Sequence, residues 1–102
     1  MNRLEQLQGL LKNSPDEAFL LFALAKEHEK LEAHGQALAE YLRLRAAHPD
    51  YVGLYYHLGK LYEHLQKSTE AAAVYEAGLE VARAANDRHS FAELRQALDD
   101  LI

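Results

Sequence analysis

Two Pro-Asp pairs divide the chain at a fixed interval, because Pro15-Asp16 and Pro49-Asp50 lie 34 residues apart. A proline ends the helix before it, since its ring pushes the preceding residue out of the α region, and the aspartate that follows can cap the next helix. When residues 15–48 are aligned with residues 49–82, ten positions are identical without a gap. A fixed period of this length predicts a solenoid built from stacked pairs of helices.

The composition predicts that the repeated elements are helices. Leucine and alanine, which favour helices, supply 19 and 17 residues, whereas valine, isoleucine and threonine together supply five. Apolar residues recur at helical spacing in six segments, so we expect an all-α fold of about six helices in three antiparallel pairs. Ser68 and Asp87 are expected to cap helices. The breaks within the pairs are predicted at His34-Gly35, Gln66-Lys67-Ser68 and Asn86-Asp87.

Charge and residue types exclude several classes of protein. Sixteen acidic residues against eleven basic ones give a formal charge of −5, which argues against a nucleic-acid-binding protein. The chain contains no cysteine, so disulfides and thiolate metal sites are excluded. Its longest apolar run, Ala18 to Ala25, is shorter than the roughly 20 residues of a membrane span, and the N-terminus lacks the apolar stretch of a signal peptide. We therefore expect a cytoplasmic protein without membrane or nucleic-acid partners.

The sequence offers little for catalysis or metal binding. None of its six histidines is paired with another at i, i+4, and the pairs His28/Glu32 and His89/Glu93 are more typical of a solvated helix surface than of a metal site. Its three serines include no nucleophile elbow. The prediction is a protein that is not an enzyme and holds no metal and no cofactor.

A motif stands in the second repeat: Tyr55-x2-Leu58-Gly59-x2-Tyr62-x8-Ala71-x3-Tyr75-x2-Gly78. It resembles the tetratricopeptide repeat (TPR), whose pattern is W-x2-L-G-x2-Y-x8-A-x3-F-x2-A-x4-P, with Arg83 in place of the closing proline. The first repeat keeps that proline but departs from the pattern at three positions. It reads Leu21-x2-Leu24-Ala25-x2-His28-x8-Ala37-x3-Tyr41-x2-Leu44-x4-Pro49.

The resemblance implies a right-handed superhelix that binds other proteins in a concave groove lined by the first helix of each pair. It divides a single TPR-like domain, residues 1–102, into four parts. These are a degenerate half-repeat helix over 1–14, repeat 1 over 16–49, repeat 2 over 50–85 and a C-terminal capping helix over 87–102.

The resemblance also places candidate binding residues in the groove. They are Phe19, Phe22, Lys26, Glu29 and Lys30 in the first repeat, and Gly53, Tyr56, Lys60, Glu63 and His64 in the second. An aromatic residue precedes a lysine by four positions in both repeats, and stacked repeats should bring the two lysines onto one wall. Aromatic rings flanked by ammonium groups suit a peptide segment with an apolar side chain and an acidic group. TPR domains that clamp a peptide carboxylate use lysine, asparagine and arginine, and the absence of that asparagine here argues against such a clamp.

A structural role for the same residues is the alternative. Phe19 and Phe22 could pack against the N-terminal helix, while Lys26 and Lys60 pair with the glutamates three positions later.

The function has two candidates. One is an adaptor or scaffold that holds a segment of another protein, an acidic one being a candidate. The other is an assembly module that uses its end helices to pair with itself or to pack against a larger protein. The second rests on an apolar C-terminal stripe, which contains Phe91, Leu94, Leu98, Leu101 and Ile102. We therefore expect a monomer or a weak homodimer.

Overall fold

The computed structural model describes residues 2–102, which form six α-helices and no strand. This confirms the all-α prediction and the number of helices. The helices are α1 (Arg3–Asn13), α2 (Ala18–Lys30), α3 (His34–Ala47), α4 (Gly53–His64), α5 (Ser68–Ala84) and α6 (Arg88–Leu101). Within residues 2–102, none of the helices has the length and apolar character that crossing a membrane requires.

The helices form two compact units of three helices each. The first unit ends at Pro49, and its α2 packs against both α3 and α1. The second unit is Asp50–Ile102, in which α5 packs against both α4 and α6. Each unit thus contains one helix pair and one additional helix.

Apolar side chains at helical spacing form the interior of the first unit. Leu21, Ala37 and Leu44 are fully buried, as the amphipathic pattern of α2 and α3 requires. The additional helix is fixed by Leu7, which joins Ala23 of α2 in a separate apolar cluster.

The three helices of the second unit meet at Gly78. A Cβ atom on this glycine would lie 2.6 Å from Cβ of Tyr55 in α4 and 3.0 Å from Cδ1 of Leu94 in α6. The missing side chain therefore lets α5 approach both neighbours closely. Leu94, Ala97 and Leu98 are buried, so α6 turns its apolar stripe towards α4 and α5.

Three helices end in the same way, with a non-glycine residue in the left-handed region. Glu32, Gln66 and Asn86 have φ angles of 59°, 60° and 56°. After α2, the amide of Ala33 donates to the carbonyl of His28 at 2.8 Å, which closes a Schellman motif. The break predicted at His34-Gly35 is therefore wrong by a few residues, since the chain turns at Glu32 and both residues lie in α3.

Of the four N-caps predicted from the sequence, one is confirmed and three are wrong. Asp87 caps α6, because one carboxylate oxygen accepts the Ser90 amide at 3.0 Å and the other accepts the Ser90 hydroxyl at 2.8 Å. Ser68 is the first residue of α5 instead of its cap, and α4 begins without a side-chain cap from Asp50.

Asp16 is also not a cap. The cap of α2 is Glu17, whose Oε2 accepts the amide of Leu20 at 2.7 Å. Asp16 instead accepts from Nε of Arg43 at 3.0 Å, and its carbonyl lies 2.6 Å from Nε2 of His48. The loop before α2 is thereby tied to the end of α3.

Candidate functional site

Each unit contains the same bonded group of three side chains, which we call the Lys–Glu–Tyr group. In the first unit the hydroxyl of Tyr41 donates to Oε1 of Glu29, and Nζ of Lys26 lies 4.0 Å from that oxygen. In the second unit Tyr75 donates to Oε2 of Glu63, and Nζ of Lys60 lies 3.6 Å from it. These two ion pairs confirm the alternative in which the lysines pair with the neighbouring glutamates.

These ion pairs leave the lysines accessible to a ligand. The side chains of Lys26 and Lys60 are 43% and 42% exposed. Ion pairs at this exposure contribute about 0–1 kcal/mol, so an acidic group of a partner can replace the glutamate at little cost. The hydrogen bond from the tyrosine hydroxyl would still hold the glutamate in place.

The buried tyrosines give the fold a dependence on alkaline pH. Burial raises the pKa of Tyr41 and of Tyr75 above the ordinary value, and the bonded glutamate raises each further. A group whose pKa is higher in the folded state contributes stability below its unfolded pKa, here about 10, and loses it as the pH rises.

We therefore expect the urea midpoint of unfolding to decrease as the pH is raised from 9 to 11. The free energy of unfolding should decrease by at most about 1.4 kcal/mol per pH unit for each tyrosine. The variant Tyr41→Phe/Tyr75→Phe should show a smaller fall over this interval. Parallel curves for this variant and the wild type would contradict the assignment to these two hydroxyls.

A surface depression of about 590 Å³ lies between α1 and α2; we call it the α1–α2 depression. Phe19 is 61% exposed at this site, so the alternative in which it is buried against the N-terminal helix is wrong. Phe22 is half-buried and meets the ring of Tyr41 edge to face at 6.2 Å. The aromatic and charged side chains that line the depression are Arg3, Phe19, Phe22, Lys26, Glu27, Glu29 and Lys30.

The charge at this depression differs in sign from that of the whole chain. It is lined by three cationic side chains and two carboxylates, Glu27 and Glu29. Glu27 lies 3.8 Å from Nε of Arg3, and Glu29 accepts from Tyr41. Both carboxylates are thus engaged within the protein, in a chain whose formal charge is −5.

The second unit has its own depression, of about 340 Å³ between α4 and α6, which we call the α4–α6 depression. Nζ of Lys60 lies over the ring of Tyr56, 5.5 Å from its centroid. Sequence reasoning missed the contribution of α6, which brings Glu93 and Asp100 to this site. Their spacing of seven residues was the available signal, but it also fits a solvated outer face.

The other candidates of the second unit have different roles. Glu63 is held by Tyr75 and Lys60, and His64 lies exposed in the last turn of α4. Gly53 is the first residue of α4.

The buried histidine of the first unit has a structural partner. His28 is buried and its Nδ1 lies 2.7 Å from Oε1 of Glu40 on α3, so the expectation that His28 and Glu32 form a solvated surface pair is wrong for His28. Burial raises the pKa of Glu40, and the bond from His28 opposes this effect. His89 does approach Glu93, at 3.6 Å. Within residues 2–102 no group of three His, Asp or Glu side chains is placed to hold a metal ion.

Comparisons with known proteins identify the fold. No family model and no curated protein matches the chain. A TPR domain protein from Salinibacter ruber, solved by crystallography, is 42% identical over 83% of this chain and 96% of its own, with a TM-score of 0.80. A solution structure from Bordetella parapertussis is 26% identical, over 99% of this chain and 88% of its own, with a TM-score of 0.85.

A third structure shows the same fold at lower identity. It is the TPR2B domain of yeast Sti1 in a complex with pHsp70, and it is 17% identical over 96% of this chain and 78% of its own, with a TM-score of 0.89. The repeat of 34 residues, the six helices and the identity to the Salinibacter protein agree with one another. The chain therefore belongs to the tetratricopeptide repeat family, an all-α solenoid class of protein–protein interaction domains.

Proposed function

We propose that this protein is a non-enzymatic adaptor that binds a peptide segment of another protein in the α1–α2 depression. The observation that carries the proposal is the exposure of Phe19 beside Phe22, in a depression that also presents Lys26 and Lys30. An exposed ring among cationic side chains is poorly placed for stability and well placed for contact with a partner.

The lining residues indicate the chemistry of the segment. An apolar side chain would cover Phe19 and Phe22, while an acidic group would meet Lys26 or Lys30. Contact with Tyr41 fixes the ring of Phe22 before binding, so little side-chain entropy is lost there. A positive depression also attracts an acidic segment to a protein of negative net charge.

The structural relatives support this proposal in general terms. The yeast domain with the same fold was solved in a complex with pHsp70, so a TPR fold of this size can hold a protein partner. The second unit repeats the aromatic residue and the lysine as Tyr56 and Lys60 in its own depression.

Self-association through the end helices is less well supported. Leu94, Ala97 and Leu98 of α6 are buried within the second unit and are not available to another chain. Phe91 and Leu101 are half-buried and Ile102 is 89% exposed, and three such side chains offer much less than the roughly 800 Å² per partner of a stable interface.

The adaptor proposal predicts that the captured proteins depend on the charge at Lys26 and Lys60. We expect Lys26→Glu/Lys60→Glu to lose the proteins that the wild type retains from a native lysate, because a glutamate at each position would repel an acidic segment. The thermal melt should change little, since exposed charges contribute little to stability. Lys67→Glu, just before α5, is the matched control and should retain the same proteins as the wild type.

Quantitative mass spectrometry of the three captures provides the measurement. If the wild type, the double variant and Lys67→Glu capture the same proteins equally, binding occurs elsewhere on the protein. The single variants Lys26→Glu and Lys60→Glu show which unit carries the effect.

A further inference from the structure

A third charged depression, of about 280 Å³, lies at the turn between α5 and α6; we call it the α5–α6 turn pocket. Ala82 forms its buried base, and Phe91 is half-buried at its side. Two arginines, Arg83 and Arg88, line it from successive helices. The remaining lining residues are Asn86 and Asp87.

The backbone and the acidic residue of this turn are already engaged. The amides of Asn86 and Asp87 donate to the carbonyls of Arg83 and Ala82 at 3.1 and 2.9 Å. Both carboxylate oxygens of Asp87 accept from Ser90, and these bonds hold the pKa of Asp87 below its ordinary value. A ligand would therefore be held by the guanidinium groups and the apolar side chains and not by the helix terminus.

The arginines have weak internal partners at most. Arg83 bonds to Glu80 on the exposed face of α5, where both side chains are about two-thirds exposed. Such a pair contributes little, so a carboxylate of a partner can replace Glu80. Arg88 lies in the first turn of α6, where the helix dipole disfavours a cation.

The order of charges along α6 also favours an acidic ligand at this turn. Its first turn carries Arg88, while Asp99 and Asp100 stand near its end, so that apart from the Asp87 cap the order is the reverse of what the helix dipole favours. In α5 the order is the favourable one, with Glu70 in the first turn and Arg83 in the last. The placement of Arg88 therefore costs helix stability while raising the positive potential at this turn.

We propose that the α5–α6 turn pocket binds an acidic peptide segment that has an apolar side chain next to its carboxylates. Arg83 and Arg88 receive the carboxylates, for which the planar guanidinium offers paired donors, and Phe91 with Ala82 receives the apolar side chain. This inference does not depend on the α1–α2 depression, which lies in the other unit.

An amide-resolved NMR titration of the full chain tests the proposal. The probe is an N-acetylated, C-amidated peptide of alternating aspartate and leucine, and the comparison peptide has asparagine for aspartate. We expect the aspartate peptide to shift the amides of Ala82, Asn86 and Phe91, and the asparagine peptide to bind about tenfold or more weakly. Affinity should fall as salt is added.

Four variants sharpen the result. Arg83→Gln and Arg88→Gln should each weaken binding about tenfold, and Glu80→Gln should strengthen it because Arg83 is released. Arg95→Gln, exposed on the same α6, should have no effect. The melting temperature of Arg88→Gln should not fall, because a cation is removed from the positive end of the helix, so unfolding cannot account for its lost affinity.

The outcomes are distinct. Shifts confined to Phe19, Phe22 and their neighbours would overturn this proposal while supporting the α1–α2 depression. Equal affinity for the two peptides, or equal effects of Arg88→Gln and Arg95→Gln, would also overturn it.

Discussion

Replacing Gly59 with alanine should destabilise the protein by about 1–3 kcal/mol, because the new methyl group overpacks the crossing of α4 and α5. A Cβ on Gly59 would lie 2.6 Å from Cζ of Tyr75. That ring is fully buried, and its hydroxyl is bonded to Glu63, so it cannot move aside easily. The loss should exceed the stabilisation of about 1 kcal/mol that alanine brings to a helix interior.

Gly35→Ala is the matched control, since it also adds one methyl group within a helix. No atom beyond its own helix lies within 4 Å of the added Cβ, so we expect an unchanged or slightly higher urea midpoint. Equal midpoints for Gly59→Ala and Gly35→Ala would contradict the close packing of α4 and α5 at Tyr75.

Deleting residues 87–102 should have the second large effect. It removes Leu94 and Leu98 from the second unit, and each buried leucine contributes about 1.5–3 kcal/mol. A loss of about 3–6 kcal/mol is a large part of the 5–15 kcal/mol that such domains possess. We therefore expect a broad, poorly cooperative melt by circular dichroism, with aggregation in size-exclusion chromatography.

Deleting Ile102 alone provides the control for this truncation. Ile102 is 89% exposed, so its removal should change the melt little. If the chain without residues 87–102 stays monomeric with an unchanged melt, α6 is an accessory helix and not part of the second unit.

The fold could be predicted from the sequence because its strongest signals are periodic. The spacing of Pro15 and Pro49 sets the repeat, and the apolar stripes identify six helices. The helix ends were harder to predict, because several side chains compete to cap each end. Glu17 takes the cap position that Asp16 was expected to hold, and Glu32 adopts a left-handed conformation in which glycine or asparagine is usual.

The candidate site was predicted only in part. The lysines and aromatic residues of α2 share one depression, as their spacing on a single helix requires. The sequence could not predict that Tyr41 bonds to Glu29, since this contact joins two helices through the geometry of their packing. The spacing of Glu93 and Asp100 was not enough to predict that α6 brings them to Lys60, because it fits a solvated face equally well.

Site-specific photo-crosslinking tests the central claim most directly. A benzophenone amino acid in place of Phe19 keeps an aromatic ring at an exposed position of the α1–α2 depression. The same group in place of Leu42, an exposed residue of α3 outside this depression, is the control. We expect a crosslinked partner from position 19 but not from position 42, and we expect it to disappear when Lys26→Glu is added. A partner captured from position 42 alone, or captured from position 19 regardless of Lys26→Glu, would contradict binding of an acidic segment in the α1–α2 depression.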